Sequence, residues 1–197
     1  MTEPLEAYRR KRNFRRTPEP EGAPAGATQA EWGRYVVQKH AARRLHYDFR
    51  LEVEGVLRSW AVPKGPSYDP AQKRLAVPTE DHPLDYEDFE GVIPAKQYGA
   101  GTVIVWDRGT YRNLSSVPMA TALADGHATI WLDGEKLKGG WALTRFRDGR
   151  DEAWLLVKMA DEHADPARDV TSEDRSVLTS RTLPEVTAAG SHEPLKG

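Results

Sequence analysis

Between Trp32 and Met159 the sequence is a series of short apolar or alternating segments separated by turn signals, and this pattern restricts the fold more than any other feature. The clearest segment is Leu45–Val53, in which apolar and polar residues alternate strictly. Further strand candidates are Val56–Val62, Thr102–Trp106, Thr110–Arg112, Ala128–Leu132, Trp141–Arg147 and Ala153–Lys158. Turn signals typical of hairpins separate several of them: Glu54-Gly55, Asp107-Arg108-Gly109, Asp133-Gly134 and Asp148-Gly149. Such closely spaced strands predict a mainly β protein, built as an antiparallel barrel or sandwich.

The flanks of this strand-rich region have a different composition. Residues 1–31 are rich in Pro, Gly and Glu and are interpreted as an N-terminal arm, residues 32–160 as the strand-rich domain, and residues 161–197 as an acidic, peripheral C-terminal tail. A chain of 197 residues fits one domain of this kind with its tails. A few short helices are expected, near Pro118–Ala124 and Glu173–Thr179.

The formal net charge of −2 conceals an uneven distribution of charge. Residues 9–50 contain 11 Lys and Arg against four acidic residues, a surplus of seven positive charges, whereas residues 161–197 contain eight acidic residues against four basic ones. A localised basic surface attracts phosphates whatever the net charge is. A solvated basic arm without a specific ligand has the same composition, so both interpretations stay open.

The chain contains no cysteine, which excludes a disulfide scaffold, a zinc ribbon and thiol catalysis. A bound metal would therefore be held by His and carboxylate side chains. No apolar run approaches the roughly 18 residues of a membrane span, and the N-terminus has no hydrophobic signal-peptide region. We expect a cytoplasmic monomer that does not contact membranes.

The alternating strand carries the first candidate for chemistry. Its period of two places His46 and Asp48 on one face, about 6.5–7 Å apart at Cα, close enough to share an ion. His40 lies six residues before His46, so it joins them only if the chain turns in between. Two His and one carboxylate suit Mn²⁺, Fe²⁺ or Zn²⁺ with open positions for substrate. The same polar face is also typical of a strand that faces water.

Other polar residues fit a phosphate site as a group. His82 lies in an acidic, Pro-containing loop, whose carboxylates predict a protonated imidazole, and the alternative is an ordinary surface histidine. Lys64 and Arg74 each have the context of solvated turn residues. Together with Arg50 they would supply the cations that a phosphate pocket requires. The Gly-rich run Gln97–Gly101 lacks the Lys-Ser/Thr of a P-loop and predicts a tight turn.

Several ordered blocks, spread over about residues 9–158, make the sequence recognisable: Tyr35–Glu52, Ser59–Pro66, Glu80–Tyr86, Gly91–Pro94, Gln97–Gly101 and Trp106–Gly109. They resemble the 3′-phosphoesterase module of bacterial DNA ligase D, an end-joining repair enzyme. The resemblance implies a small closed or partly closed antiparallel β-barrel and a Mn²⁺-dependent hydrolase, with other divalent transition metals as alternatives. Such an enzyme removes a 3′-terminal ribonucleotide as a phosphodiesterase and then hydrolyses the 3′-phosphate to a 3′-OH. The implied partners are DNA or DNA–RNA primer-template 3′ ends and other end-joining repair proteins.

Matching positions carry roles from the family to this chain. The resemblance implies three metal ligands: His40, His46 and Asp48. It implies five residues at the scissile phosphate: Arg50, Lys64, Arg74, His82 and Tyr86. Four further residues would support the site or reach it from the arm: Gln38, Glu80, Arg12 and Glu19. Protonated His82 would stabilise the transition state or protonate the leaving oxygen.

Two departures qualify the resemblance. Family members often carry Lys-Arg-Asp-Phe where this chain has Asn13 in Lys11–Phe14, so an amide replaces a carboxylate and the role of the arm stays open. The chain also lacks the Lys-x-Asp-Gly motif of the ligase module and is too short to include the ligase or the polymerase. We therefore expect a free-standing or excised end-healing module.

Two other functions remain as alternatives. His46-Tyr-Asp48 has the His-x-Asp form of a non-haem iron oxygenase, in which a distal His127 would complete the metal triad. That interpretation leaves His40, Lys64 and Arg74 without a role. A non-catalytic module that binds DNA ends through the basic N-terminal segment is the second alternative.

Overall fold

The computed structural model describes residues 3–22 and 32–190. Nine antiparallel strands form one sheet: β1 (Trp32–Ala41), β2 (Leu45–Val53), β3 (Val56–Val62), β4 (Arg74–Pro78), β5 (Gly91–Ile93), β6 (Gly101–Asn113), β7 (His127–Gly134), β8 (Lys138–Arg147) and β9 (Ala153–Lys158). Their order is β1-β2-β3-β4-β9-β8-β7-β6-β5, and the additional pairing of β1 with β6 closes eight of them into a barrel. β5 adds to β6 outside the barrel. The predicted mainly β barrel is confirmed.

Three short α-helices accompany the barrel in the described residues: α1 (Glu6–Arg10), α2 (Met119–Asp125) and α3 (Leu183–Ala189). Three short 3₁₀ helices lie between the strands or after them: Leu84–Asp88, Gly149–Asp151 and Val170–Ser172. No helix within residues 3–22 and 32–190 is both long and apolar enough to cross a membrane.

The barrel interior is filled by apolar side chains. All eight barrel strands contribute to one buried cluster that includes Trp60, Trp106, Trp141 and Trp154. The alternation of β2 predicts its inward face correctly from Tyr47 to Val53, since Tyr47, Phe49, Leu51 and Val53 all belong to this cluster. Leu45 is the exception and is 47% exposed, because β2 begins beyond the end of the packed interior. A filled interior leaves only the outside of the barrel for a functional site.

A second, smaller apolar cluster covers part of the outside. Val36, Leu57, Val103 and Val105 point outward from β1, β3 and β6 and are buried beneath other segments. The covering residues come from α1, from the 3₁₀ turn at 84–88 and from the chain after it: Tyr8, Tyr86, Phe89 and Ile93. The polar face of β2 lies beside this cluster, so it lines a covered site and does not face open water.

Both flanking regions pack on the barrel where the structure describes them. Tyr8 of α1 is fully buried, and its hydroxyl donates to the carbonyl oxygen of Pro20 at 2.5 Å. Residues 23–31 of the predicted arm and 191–197 of the predicted tail lie outside the described residues. In the tail, Val170 and Val186 are buried, and Trp106 Nε1 donates to the carbonyl oxygen of Glu173 at 2.5 Å.

Of the two predicted helices, the first is confirmed by α2 and the second is wrong. Residues 173–179 contain no helix, because the Ser176 hydroxyl accepts hydrogen bonds from the backbone N–H groups of Leu178 and Thr179 and forms a local turn. The helix begins later, at α3, where Thr182 and Glu185 form a reciprocal capping box.

The predicted hairpin at Asp107-Arg108-Gly109 is also wrong, because β6 runs through these residues without interruption. A register shift opposite Val37/Gln38 allows Asp107 to point inward. There its carboxylate accepts from the Tyr35 hydroxyl at 2.6 Å and from the backbone N–H of Leu137 at 2.9 Å. Gly109 allows close strand approach, since a Cβ there would lie 2.2 Å from the carbonyl oxygen of Asp133.

Gly101 fixes the position of the β1–β2 connection, and its substitution tests this contact. A Cβ at Gly101 would lie 2.2 Å from the Ala41 carbonyl oxygen, and its φ of +144° is unfavourable for other residues. We expect Gly101→Ala to lower the free energy of unfolding by about 2 kcal/mol or more in urea titrations. The control Ala95→Gly, in the exposed turn before β6, should change it by less than about 1 kcal/mol. Equal stability of Gly101→Ala and the unmodified chain would contradict this account.

Candidate active site

The register of the β1–β2 hairpin brings three potential metal ligands together. The turn Ala42–Arg44 reverses the chain and places His40 directly opposite His46. Asp48 follows two residues later on the same face of β2. Its Oδ2 lies 3.5 Å from His40 Nδ1 and 3.4 Å from His46 Nε2, and the three ligand atoms all lie within 4.8 Å of one another. The chain therefore does turn between His40 and His46, as a shared site of these residues requires.

Backbone carbonyl groups hold the far nitrogen of each imidazole. His40 Nε2 lies 2.8 Å from the carbonyl oxygen of Gly99, and His46 Nδ1 lies 3.0 Å from the carbonyl oxygen of Arg44. A carbonyl only accepts, so these nitrogens carry protons, and each ring turns its other nitrogen toward the Asp48 carboxylate, where it can donate a hydrogen bond or, with its proton removed, bind a metal. Metal-binding histidines commonly have outer partners of this kind, which fix the ring and the tautomer. Two such imidazoles and one carboxylate fit a divalent transition metal.

The electrostatics of the three residues favour a cation between them. Burial alone would raise the pKa of Asp48, but the charge of Arg50 and the hydrogen bonds of the two histidines hold it well below its usual value. Burial alone would lower the pKa of His46, but the hydrogen bond and charge of Asp48 outweigh burial and raise it. An ionised carboxylate therefore faces two imidazole nitrogens, and a positive charge at this point is stabilised.

Arg50 lies beside the carboxylate and is almost fully buried. Its Nε donates to Gln38 Oε1 at 2.7 Å, its Nη1 donates to Ser59 Oγ at 2.9 Å, and its Nη2 lies 3.4 Å from Asp48 Oδ2. Gln38 is itself fixed, because its Nε2 donates to the carbonyl oxygens of Tyr86 and Phe89, each at 2.9 Å. The guanidinium is therefore held in one orientation by residues of β1, β2 and β3.

His82 lies between two guanidinium groups. Backbone hydrogen bonds of 2.8 and 3.0 Å with Leu57 attach it to β3. Its Nδ1 is 3.0 Å from Arg50 Nη1, and its Nε2 is 3.4 Å from Arg12 Nη2. Burial, followed by the charges of Arg50 and Arg12, holds the pKa of His82 well below its usual value. The imidazole is therefore neutral at pH 7.

The N-terminal arm completes the site with a chain of ion pairs. Arg12 donates to Glu19 Oε1 at 2.8 Å and to Glu80 Oε1 at 2.9 Å, while Lys11 donates to Glu80 Oε2 at 3.0 Å. The Tyr86 hydroxyl donates to Glu19 Oε1 at 3.0 Å. The Arg12 side chain is only 4% exposed, so this pairing is protected from solvent. The arm is thus bound to the barrel through charged groups next to His82.

These groups surround one cavity of about 260 Å³. Its polar lining includes the metal-ligand candidates and their neighbours: His40, His46, Asp48, Arg50, His82, Arg12, Glu80 and Tyr86. A potential metal site, a fixed guanidinium and a neutral imidazole therefore share one small space. This arrangement suits an anionic ligand that also binds a metal.

Known proteins show the same sequence pattern. Residues 38–145 match the family model of the DNA ligase D 3′-phosphoesterase domain. A multifunctional non-homologous end joining protein LigD of Pseudomonas aeruginosa is 54% identical over 186 residues, which cover 92% of this chain and 22% of the relative. This chain belongs to the DNA ligase D 3′-phosphoesterase domain family. A multifunctional non-homologous end joining DNA repair protein LigD of Mycobacterium tuberculosis is 42% identical over 158 residues, covering 80% of the chain and 20% of the relative. This chain spans about a fifth of the length of these relatives.

The structure brings most of the predicted site residues together. The eight that line the cavity are joined by Gln38 and Glu19, which lie behind Arg50 and Arg12. Lys64 and Arg74 do not line this cavity. They line a neighbouring depression with Gln72 and Lys73, at the ends of the segment that joins β3 to β4.

Two expectations about histidines are corrected. His82 was predicted to be protonated, but the carboxylates near it in sequence are engaged elsewhere, since Glu80 binds the arm and Asp81 pairs with Arg58 at 3.1 Å. His127 was the distal ligand of the oxygenase alternative. It is exposed at the start of β7, where its Nδ1 lies 2.9 Å from Thr144 Oγ1, and it does not belong to the metal-ligand group.

Sequence reasoning missed several contributors. The Ser59 hydroxyl accepts a hydrogen bond from Arg50, whereas sequence reasoning assigned Ser59 no individual role in the site. The run Gln97–Gly101 was predicted to be a turn, which it is, but Gly99 also orients His40 and Tyr98 lines the cavity. Asn13 is exposed, and its Oδ1 accepts from the backbone N–H of Arg15 at 3.2 Å, a bond that an Asp would also make.

The neutral state of His82 predicts a pH dependence of stability. The folded protein disfavours protonation of this ring, whereas the unfolded chain binds a proton below a pH of about 6.5. Folded-state stability should therefore fall as the pH drops from 7.5 to 5.5, by about 1 kcal/mol from this residue. In His82→Gln, we expect the free energy of unfolding, measured by urea titration, to fall by about 1 kcal/mol less between pH 7.5 and 5.5. Identical pH profiles for the two proteins would contradict the buried neutral state.

Proposed function

We propose that this phosphoesterase domain heals 3′ ends of DNA at primer–template junctions during double-strand break repair. It would remove a 3′-terminal ribonucleotide and then hydrolyse the remaining 3′-phosphate to a 3′-OH. The observation that carries the proposal is the cavity in which His40, His46 and Asp48 lie beside Arg50 and His82. Membership of the phosphoesterase family supports a hydrolase, and the arrangement of metal ligands and cations supports a phosphate substrate.

Mn²⁺ is the proposed metal, with other divalent transition metals as alternatives. Two imidazole nitrogens and one carboxylate oxygen form a mixed N/O donor set, which such ions accept. A divalent ion bound there would supply Lewis-acid stabilisation of a phosphate oxygen and a water of lowered pKa.

The protein's own groups would perform the remaining tasks. Arg50 is fixed by Gln38 and Ser59, so it would present a preorganised positive charge to the phosphate without reorientation. His82 Nδ1 is engaged by the Glu80 carbonyl oxygen at 2.9 Å and by Arg50, so Nε2 is the nitrogen that would hold or transfer a proton at a phosphate or leaving oxygen. Lys64 and Arg74 are proposed to bind phosphate from the adjacent depression.

The central experiment measures phosphate release from a 3′-phosphate primer–template and trimming of a 3′-ribonucleotide primer–template, each with and without Mn²⁺. We expect both reactions to require the metal. His82→Ala should lower phosphate release by about 100-fold or more, because it removes a general acid–base group and the ring that contacts both Arg50 and Arg12. Near-normal turnover by this variant would remove His82 from the mechanism.

The matched control is His127→Ala, which removes an exposed histidine outside the cavity and should retain activity within about twofold. Loss of activity in His127→Ala with full activity in His40→Ala would favour the oxygenase instead. Full DNA binding by a triple variant of His40, His46 and Asp48, with no metal-dependent hydrolysis in the unmodified chain, would favour a non-catalytic end binder.

Metal binding can be measured independently of catalysis. We expect Asp48→Asn to weaken Mn²⁺ binding by at least about tenfold in isothermal titration calorimetry, because the only carboxylate in the ligand group becomes a neutral amide. His127→Ala should bind Mn²⁺ like the unmodified chain. Equal Mn²⁺ affinity of Asp48→Asn and the unmodified chain would disprove the proposed ligand set.

A further inference from the structure

The cations inside the site are already paired with groups of the protein. Arg12 and Lys11 bind carboxylates, and Arg50 binds an amide, a hydroxyl and the edge of a carboxylate. Three carboxylates pair with these three cations: Glu19, Glu80 and Asp48. The inner site therefore offers little long-range attraction to a polyanion, which depends on charge that is not already neutralised nearby.

Unpaired positive charge lies instead on the rim, at the tip of the β1–β2 hairpin. Arg43 and Arg44 are both exposed, and their side chains make no hydrogen bond or ion pair with any other described residue. The residue before them, Ala42, lines the cavity, and Arg44 uses its carbonyl oxygen to hold His46. Two free guanidinium groups are thus adjacent to the metal-ligand candidates.

The backbone of this tip is fixed although the two side chains are free. The carbonyl of Arg44 is bound to His46, and the Ala41 carbonyl is in close contact with Gly101 at the start of β6. The tip therefore has a defined position relative to the cavity. Long side chains on a fixed backbone can reach a ligand that extends beyond the cavity without a loop rearrangement.

A third cation lies on the turn before β6, which contacts the β1–β2 hairpin and also lines the cavity. Lys96 is exposed, and the same turn supplies Tyr98 and Gly99 to the cavity lining. Lys96 has a φ of 70°, a conformation that is unfavourable for a lysine backbone. Among the described residues its side chain has no polar partner.

We propose that Arg43 and Arg44, together with Lys96, bind the internucleotide phosphates of the strand whose 3′ end occupies the cavity. This inference rests on the proposed function. Consecutive phosphates of one strand follow at about 3.4 Å of helix axis per nucleotide, so a strand that enters the cavity brings its next phosphates to the rim. The rim holds the strand by charge, while the inner residues act on its last phosphate.

The test compares two double variants with equal loss of charge. Arg43→Ala/Arg44→Ala removes the rim pair, and the control Arg147→Ala/Arg150→Ala removes an exposed pair at the last residue of β8 and in the turn after it. Binding to a fluorescent 3′-phosphate primer–template is measured by anisotropy over a salt series. Loss of two phosphate contacts should reduce the slope of log K against log salt by about 1.4–1.8. The control should change the slope by less than half of that.

Measurements with two other substrates and one further variant identify the ligand. Hydrolysis of a mononucleoside 3′-phosphate, which has no internucleotide phosphate, should keep its kcat/KM in the rim variant. A single-stranded 3′-phosphate oligonucleotide should show the same loss of binding as the primer–template. An effect confined to the duplex would overturn the assignment to the substrate strand, and unchanged salt slopes would overturn the proposal. Lys96→Asn tolerates the positive φ and should reduce the slope by about a further 0.7–0.9.

The outcomes separate this proposal from the proposed function. If the unmodified chain releases no phosphate from any 3′-phosphate, the proposed function fails, and the salt slopes still decide whether the rim binds nucleic acid. If it does release phosphate and the rim variant keeps the full slope, the rim proposal alone fails. Arg43→Gln/Arg44→Gln keeps long polar side chains and so controls for misfolding of the alanine variant. It should show the same reduction in the slope of log K against log salt.

Discussion

The buried guanidinium of Arg50 is the interaction on which the site depends. A charge with almost no exposure is tolerated only when its N–H groups are satisfied, and here the partners come from three different parts of the fold. Gln38 belongs to β1, Ser59 to β3, and His82 to the loop after β4. Fixing this one group therefore fixes the relative positions of two strands and a loop around the Asp48 carboxylate.

The outer layer of the site extends from the same group. Gln38, which accepts from Arg50, also donates to the carbonyl groups of Tyr86 and Phe89 and so holds the 3₁₀ turn against the barrel. The hydroxyl of Tyr86 then binds Glu19, which attaches the arm. Each layer is positioned by the one beneath it, from strand to turn to arm. The buried charged groups of the arm therefore depend on the contacts that connect Arg50, Gln38, Tyr86 and Glu19.

The sequence was sufficient to predict what depends on local periodicity. The alternation of β2 predicted its inward face, and the short spacing of the strands predicted an antiparallel barrel or sandwich, between which the family resemblance selected the barrel. What depends on contacts between distant residues was not predictable in the same way. The pKa of His82 is set by Arg50 and Arg12 and not by its sequence neighbours, so the sequence context suggested the wrong charge. Asp107-Arg108-Gly109 has the composition of a turn, but a partner strand with a register shift accepts it as a continuous strand.

The separation between a packed interior and a site on the outer surface has a consequence for how this domain can change. The tryptophans and aliphatic side chains that stabilise the barrel point inward, whereas the polar side chains of β1, β2 and β3 that form the site point outward. Adjacent positions on one strand therefore serve different purposes. Selection for a new substrate can act on the outward positions while the inward ones preserve the fold, which makes this barrel a suitable scaffold for directed evolution of phosphate chemistry.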